Sequence, residues 1–267
     1  MWLSIRRTYS HTESKDASIV VETLILAIHS DSKVGPAVQD TPLDRRIQAM
    51  SDADIEFFWD PICPFAWLTS RWVTDVARQR EYEVDWRLIC LSILNEDSDY
   101  DNFPEGYRDL HNKGRRMLRV AQAVRNQHGA AAAGDLYTAY GSTIWNSDAD
   151  IRSTMGEVAS DGHLAGALEM AGLSPESVAA AEDESLDNAL RDSTEEALSR
   201  TGRDVGTPII TFHHNGGSTS FFGPVVSQVP PPDEAVRLWD AVVTLAEWPS
   251  FAELKRSRRD DLVFPSV

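Results

Sequence analysis

Cysteine is scarce in this chain, whose 267 residues include only two, Cys63 and Cys90. So few cysteines exclude a disulfide framework, and they exclude metal sites built from paired CxxC motifs. We therefore expect no metal cofactor. Low cysteine usage is also typical of a reducing compartment, so we expect the protein to be cytoplasmic.

Long hydrophobic runs are missing as well. No apolar stretch reaches the ~18 residues that a membrane-spanning helix needs. The strongest N-terminal candidate is IVVETLILAI at 19–28. It is short, contains Glu22 and lacks a small-residue cleavage site, so it matches a signal peptide poorly. The sequence thus predicts no membrane partner.

Basic residues are outnumbered, with 25 Lys and Arg against 42 Asp and Glu, for a formal net charge of −17. A surface this acidic repels phosphate backbones and anionic lipid headgroups. Nucleic acid and anionic membranes are therefore excluded as expected partners.

Residues 1–50 differ in composition from the rest of the chain. They are rich in Ser, Thr, Asp and Arg around the apolar segment 19–28, and strand-like sequence begins directly after Met50. We expect 1–50 to be a poorly ordered extension, or translation to start near Met50. The alternative is that 19–28 packs on the domain as an extra strand or helix.

The first regular structure is predicted from 55 onward. IEFFWD (55–60) is a short apolar run rich in aromatics, typical of a buried strand. Pro64 suits the first turn of a following helix, where the missing N–H costs nothing. VDWRLICLSIL (84–94) then reads as a second buried strand. Strand, helix and strand in this order predict a βαβ unit with a parallel pair.

A helical block follows. Strand signals vanish from 97 to 202, and amphipathic patterns predict helices over 107–127 and 177–202. HGAAAAG at 128–134 is interpreted as a linker between helices.

Strand signals return at TPIITF (207–212) and STSFFG (218–223), with an Asn-Gly hairpin cue between them. A last helix is predicted to run to Glu247. The order βαβ, helical block, ββα predicts an α/β thioredoxin fold with an inserted all-helical domain. We expect the thioredoxin-like domain to comprise 51–96 and 203–267, with the insert at 97–202.

Cys63 is the candidate nucleophile. It falls where a strand ends and a helix begins, the edge at which open α/β sheets place their sites. Free N–H groups and the helix dipole favour a negative charge there, so the pattern predicts a lowered thiol pKa. The alternative is a buried, inert cysteine. We interpret Cys90 as a small buried core residue.

Pro208 adds a second feature of the site. A proline that opens a regular strand is restricted in its placement, and its peptide bond can be cis. In thioredoxin-like folds a cis-proline faces the nucleophilic cysteine. Thr207, the residue before it, would then offer its backbone to an incoming thiol or peptide. The alternative is an ordinary proline in an edge strand.

The motifs of this chain, in their order, resemble those of the DsbA-like thioredoxin-fold proteins of the mycothiol-dependent nitroreductase family. The resemblance covers roughly 51–260 and is more distant to 2-hydroxychromene-2-carboxylate isomerases and kappa-class glutathione transferases. It implies a thiol-disulfide oxidoreductase that uses mycothiol, or another low-molecular-weight thiol, as co-substrate. The matching segments are DPxCPxxWxxSRW at 60–72, LSILNE at 91–96, VGTPII at 205–210, FFGPVVSQVP at 221–230, EAVRLWD at 234–240 and FAELKRSR at 251–258.

The site residues follow from this resemblance. It implies that Cys63 is the attacking thiolate and that small thiol or substrate binds beside it. Asn95 follows the second strand at the same sheet edge and is a candidate for the wall of the site. The expected thiol- and substrate-binding residues are Pro64, Phe65, Trp67, Thr207, Pro208 and Asn95.

Ala66 departs from the family pattern, because dithiol members carry a second cysteine at this position. Alanine cannot attack a mixed disulfide, so a second molecule of small thiol would have to resolve it. The sequence therefore predicts a monothiol cycle. The partners would be a small thiol and a small electrophilic or disulfide substrate, with nitroaromatics among them, and a homodimer is left open.

Two further functions fit the same residues. In a kappa-class type of transferase or isomerase, the small thiol itself adds to the substrate and Cys63 does not cycle. Alternatively, the chain binds a thiol or a partner without catalysis, having lost redox turnover with Ala66.

Overall fold

The structure is a computed structural model that describes residues 53–146, 155–214, 217–257 and 260–265. These residues belong to one compact unit, Ala49–Val267. The predicted extension at 1–50 and the tip of the predicted hairpin, 215–216, lie outside the described residues.

Four strands form one mixed sheet. They are β1 (Ile55–Trp59), β2 (Val84–Leu88), β3 (Ile209–His214) and β4 (Gly217–Phe222). Their order is β2-β1-β3-β4, with β1 parallel to β2 and antiparallel to β3, and with β3 antiparallel to β4. This is the strand order of the thioredoxin fold.

The described helices surround this sheet, and the chain between β2 and β3 contains helices and no strand in its described residues. The predicted thioredoxin fold with a helical insertion is confirmed, while the domain boundaries stay predictions. None of the described helices is long and apolar enough to cross a membrane. The α-helices are α1 (Pro64–Arg80), α2 (Leu91–Leu94), α3 (Tyr107–Trp145), α4 (Asp161–Met170), α5 (Asp187–Thr201) and α6 (Pro232–Ala246).

The start of α1 is fixed by the Cys63-Pro64 pair. Cys63 has extended backbone angles and is the N-cap, while Pro64 occupies the first helical position. Proline suits that position because its φ is already helical and the missing N–H would have no intrahelical partner. The helix ends at Arg80, and its C-cap Glu81 adopts a left-handed conformation with φ 56°. The sheet edge therefore presents Cys63 at a helix N-terminus, as the sequence predicts.

The second predicted strand, 84–94, is wrong in its extent. β2 ends at Leu88, which pairs with Trp59, the last residue of β1. Beyond that point there is no neighbouring strand in register, and the Leu91 N–H instead donates to the Asp60 carboxylate, 2.8 Å away. The remaining residues therefore turn into the short helix α2.

The insert also differs from prediction in two places. The predicted helix over 177–202 forms only from Asp187, because two 3-10 turns, Pro175–Glu182 and Glu184–Leu186, precede it. The side chain of Asp183 caps the second turn by accepting from the Ser185 N–H. The predicted linker at 128–134 is helical except at Gly129, whose φ of 88° kinks α3.

β1 is buried on both faces. Ile55, Phe57 and Trp59 contribute to the main core cluster, which also holds residues of α1, α3 and α6. Phe58 belongs to a smaller cluster with Ile89, Ile209 and Ala197 of α5. Burying a side chain such as Phe57 contributes about 1.5–3 kcal/mol. This anchoring fixes the end of β1, and so the position of the turn that carries Cys63.

Glu56 is the buried charge of the central strand, at 3% exposure. Its carboxylate accepts from Arg87 at 3.0 Å, from Arg200 at 3.0 Å and from His213 at 2.8 Å. A buried carboxylate needs such partners, because an unpaired buried charge is strongly destabilising. The cluster ties β1, β2 and β3 to α5.

Gly141 lets α3 approach α1. A Cβ atom placed on Gly141 would lie 2.1 Å from ring atoms of Trp67. Such a distance is far inside van der Waals contact, so only glycine fits against this indole. The close contact places α3, the longest helix of the insert, directly over the first turn of α1.

We predict that Gly141→Ala destabilises the protein by about 1–3 kcal/mol, the usual cost of overpacking a filled core. Gly166→Ala is the matched control, because it also lies in a helix and its Cβ would meet nothing within 4 Å. There the gain in helix propensity should stabilise by roughly 0.5–1 kcal/mol. Urea unfolding of both variants tests the difference. Equal urea midpoints for the two variants would show that the Trp67 side chain moves to accommodate the added methyl group.

Candidate active site

Cys63 lies between the first turn of α1 and the strand that follows Pro208. Its Sγ accepts from the Ala66 N–H at 3.5 Å and donates to the Thr207 carbonyl oxygen at 3.3 Å. The side chain is 6% exposed. The thiol is therefore held between a helix N-terminus and a backbone segment 144 residues further along the chain.

The Thr207–Pro208 peptide bond, for which the sequence left both isomers open, is cis. Thr207 is anchored by its hydroxyl, which donates to the Phe58 carbonyl at 3.0 Å. Pro208 is held by the Gly223 N–H, which donates to its carbonyl at 2.8 Å. The Gly223–Pro224 bond is also cis, which the sequence analysis did not predict.

The protonation of Cys63 differs from the sequence-based expectation. Burial raises the pKa of its thiol to about 12, and the nearby Asp60 charge adds to this, while the Ala66 and Phe65 N–H groups act in the opposite direction. The helix N-terminus is present as predicted, but desolvation outweighs it in this closed site. Cys63 is therefore a thiol here, as its donated hydrogen bond to Thr207 requires.

Asp60 was part of the sequence motif, but we assigned it no role. It is fully buried and accepts from the Ile62 and Leu91 N–H groups at 3.1 and 2.8 Å. Burial raises the pKa of its carboxyl to about 7, although both hydrogen bonds lower it. A carboxylate directly after an apolar strand was the signal that could have identified it.

The end of α3 holds both sides of the cysteine turn. Trp67 is 1% exposed, and its indole N–H donates to Asn146 Oδ1 at 2.9 Å. Trp145 donates to the Pro61 carbonyl at 3.1 Å and stacks on Phe264 of the C-terminal segment. Trp67 is therefore a buried support for the site and not an open binding surface.

The other predicted site residues differ in their burial and in their hydrogen bonds. Pro64 is buried at the helix start, and the half-buried Phe65 follows it. Asn95 uses its side-chain amide to donate to the Leu91 carbonyl at 2.9 Å, so it caps its own short helix. The structure thus brings Cys63, Pro64, Thr207 and Pro208 together, and the role of Asn95 in the wall stays a prediction.

Tyr107 is a residue of this region that the sequence analysis missed. Burial raises the pKa of its phenol, and electrostatic interaction with Cys63 and Asp60 acts in the same direction. Tyr107 also lines a recess of about 360 Å³. The other lining residues are Tyr100, Asp101, Phe103, Pro104, Glu105, Gly106 and Arg108.

The two cysteines and the other possible metal ligands are placed as follows. Cys63 and Cys90 are both free and buried, and Cys90 is a core residue, as predicted. Ala66 leaves no second thiol on the first turn of α1. Within the described residues, no group of three His, Cys, Asp or Glu side chains is placed to hold a metal ion.

Comparisons with known proteins identify a family and two similar proteins. The family model described as "Rv2466c-like: Mycothiol-dependent nitroreductase Rv2466c" matches residues 62–256. An "Uncharacterized protein Rv2286c" of Mycobacterium tuberculosis is 25% identical over 208 residues, which cover 76% of this chain and 82% of the relative. A solved structure, a probable DsbA oxidoreductase from Streptomyces coelicolor, is 14% identical, with a TM-score of 0.44, over 79% of this chain and 99% of that one.

We predict that the Cys63 thiol makes stability fall above about pH 9. The folded pKa is about 12 against an ordinary 9.0, so the unfolded chain loses this proton first. Between these two pKa values, the loss of this proton lowers the free energy of unfolding by roughly 1.4 kcal/mol per pH unit. Cys63→Ala should remove this part of the slope in urea unfolding measured from pH 8 to 11.

Val73→Ala is the control for this experiment, because it truncates a buried side chain of the same helix without removing a titrating group. It should lower stability at every pH and leave the slope unchanged. A wild-type slope in Cys63→Ala would mean that the folded thiol titrates normally.

Proposed function

The chain belongs to the Rv2466c-like family of mycothiol-dependent nitroreductases, which are thiol-dependent oxidoreductases, and from this we propose a monothiol mechanism that proceeds through Cys63. The observation that carries the proposal is the Cys63 thiol held against the cis Thr207–Pro208 segment, with Ala66 where a resolving thiol would stand.

Each turnover of the exchange needs the protein thiol, one disulfide and one molecule of small thiol. The Cys63 thiolate attacks a disulfide X–S–S–X, which gives Cys63–S–S–X and releases X–S⁻. A small thiolate R–S⁻ then attacks the Cys63-bound disulfide, which releases R–S–S–X and restores the Cys63 thiolate. A nitro compound would instead be reduced to the nitroso compound and water by two thiols, which leave as R–S–S–R.

Thr207 is the residue best placed to orient an incoming thiol compound. Its side-chain hydroxyl donates to the Phe58 carbonyl oxygen, and this bond fixes the Thr207 backbone beside Cys63. An extended segment beside the nucleophile can pair with a substrate amide as a strand would. The Thr207 carbonyl must then exchange its bond with the Cys63 thiol for a bond with the substrate.

The recess beside Tyr107 fits a neutral, hydroxyl-rich thiol such as mycothiol. Its lining combines phenols, two acidic side chains and the Arg108 guanidinium, which can donate to and accept from hydroxyl groups. Its volume of about 360 Å³ lies within the range of small-molecule sites. We therefore propose that the small thiol enters from this side.

A second function is favoured by one observation, the raised pKa of Cys63. A thiol that stays protonated is a weak nucleophile, so the small thiol itself could be the attacking group. The chain would then be a transferase or isomerase of the kappa-class type, in which the Cys63 region only binds. Turnover that survives Cys63→Ser, with the small thiol supplied, would identify this function.

We place the protein in the cytoplasm, because its buried cysteines are both free thiols and a reducing compartment keeps them so.

We predict that mycothiol disulfide adds one mycothiol to the protein, on Cys63. Intact-protein and peptide mass spectrometry should find the adduct in wild type and in Cys90→Ala, and should find none in Cys63→Ser. Cys90 is fully buried, so its removal is the matched control. An adduct on Cys90, or none at all, would rule out the monothiol cycle.

We predict that Ala66→Cys restores a dithiol site. The Ala66 N–H already points at Cys63 Sγ, so a thiol at this position begins on the same helical turn. The variant should convert the mycothiol adduct into an internal disulfide between Cys63 and the introduced cysteine, with release of free mycothiol. Persistence of the mixed disulfide in this variant would show that the geometry of the turn does not permit resolution.

A further inference from the structure

Asp60 joins the two turns that follow the parallel strands. One carboxylate oxygen accepts from Ile62, the residue before Cys63, and the other accepts from Leu91, the residue after Cys90. The Cys63 N–H also donates to the Asp60 carbonyl at 3.1 Å. Asp60 therefore holds the cysteine turn against the start of α2.

Helix α3 packs directly against the Asp60 carboxylate. A Cβ atom on Gly114 would lie 3.1 Å from Asp60 Oδ1 and 3.0 Å from Ile62. Asp60 is 0% exposed, and among the described residues it forms no ion pair with Lys, Arg or His. Its charge is thus balanced only by backbone dipoles.

The groups that face Asp60 are mostly acids. Cys63 from the start of α1, Cys90 from the start of α2, and Tyr107 and Tyr137 from α3 all have their pKa raised by burial and further by the Asp60 charge. Two cations act on these groups, Arg115 on Cys90 and Arg71 on Tyr137, and neither is paired with Asp60. A second negative charge beside Asp60 would therefore meet repulsion with little compensation.

We propose that Asp60 is the positioning residue that keeps Cys63 protonated between turnovers, so that the pair carries one negative charge at a time. The proposal rests on the proposed monothiol function. Near neutral pH, Cys63 then ionises as Asp60 becomes neutral, in the balanced step Cys63–SH + Asp60–COO⁻ ⇌ Cys63–S⁻ + Asp60–COOH.

This arrangement suits a site without a resolving cysteine. A thiolate is the form that peroxides oxidise, and a sulfenic acid here has no thiol on the same helical turn with which to condense. Holding Cys63 as a thiol therefore protects it from oxidation between turnovers.

The pH dependence of Cys63 alkylation tests this coupling in the Cys90→Ala background. The rate with iodoacetamide should rise up to about pH 7, where Asp60 ionises. Above that pH the rate should level off, since each gain in thiolate is offset by the new Asp60 charge, and then rise again. A continuous rise from pH 6 to 9 would overturn the proposal, even if no Asp60 variant folds.

Asp60→Asn is the direct variant, because the amide keeps one acceptor oxygen and removes the charge. The levelled region should disappear, and the ratio of the rates at pH 9 and pH 6 should increase at least about tenfold, equivalent to one pKa unit. Because both rates are measured on the same variant, a change in the accessibility of the thiol does not alter their ratio. Asp135→Asn, which removes an exposed carboxylate of α3, should leave the ratio unchanged.

Two reactions of Cys63, oxidation by peroxide and adduct formation with mycothiol disulfide, distinguish a failure of this proposal from a failure of the proposed function. Asp60→Asn should lose its Cys63 thiol to peroxide faster than wild type at pH 8 and should still form the mycothiol adduct. An adduct with an unchanged pH ratio and oxidation rate would leave the function standing and refute the role of Asp60. No adduct in either protein would refute the monothiol function alone.

Discussion

The hydrogen bond from Cys63 to the Thr207 carbonyl is the contact on which the site depends. It joins the end of β1 to the segment that enters β3, and these segments are neighbours because β1 and β3 pair directly in the sheet. The sheet order thus converts a large separation in sequence into van der Waals contact. Each partner is fixed independently, Cys63 by the helix start and Thr207 by its bond to Phe58. The geometry of the site is consequently set by the sheet, not by a flexible loop.

The same packing creates a conflict between burial and reactivity. The helical insert covers the cysteine turn through the Trp67–Asn146 and Trp145–Pro61 hydrogen bonds. This cover removes water from Cys63, and the loss of hydration outweighs the stabilisation that a helix N-terminus gives to a thiolate. The resting site is therefore closed and protonated. In the proposed cycle, attack on a disulfide requires that the thiol give up its bond to Thr207, which would couple the start of the reaction to substrate binding.

The sequence was sufficient for the elements whose signals are local. The apolar run of β1, Pro64 at the first turn of α1 and the Thr207–Pro208 pair each depend on a few adjacent residues. They predicted the fold and the position of Cys63, the candidate nucleophile, at a helix start. Three features needed tertiary information. β2 stops at Leu88 because its partner strand stops at Trp59. The pKa of Cys63 depends on how deeply the insert buries it. Asp60 gains a role only because Leu91 returns to it from the neighbouring strand.

Titration of Cys63 by NMR tests the central claim most directly, with ¹³C-labelled cysteine in the Cys90→Ala protein. The account predicts a Cβ resonance of a protonated thiol throughout neutral pH, which is replaced by a disulfide resonance when mycothiol disulfide is added. A thiolate resonance at pH 7, with Thr207 in place, would contradict the closed and protonated resting site.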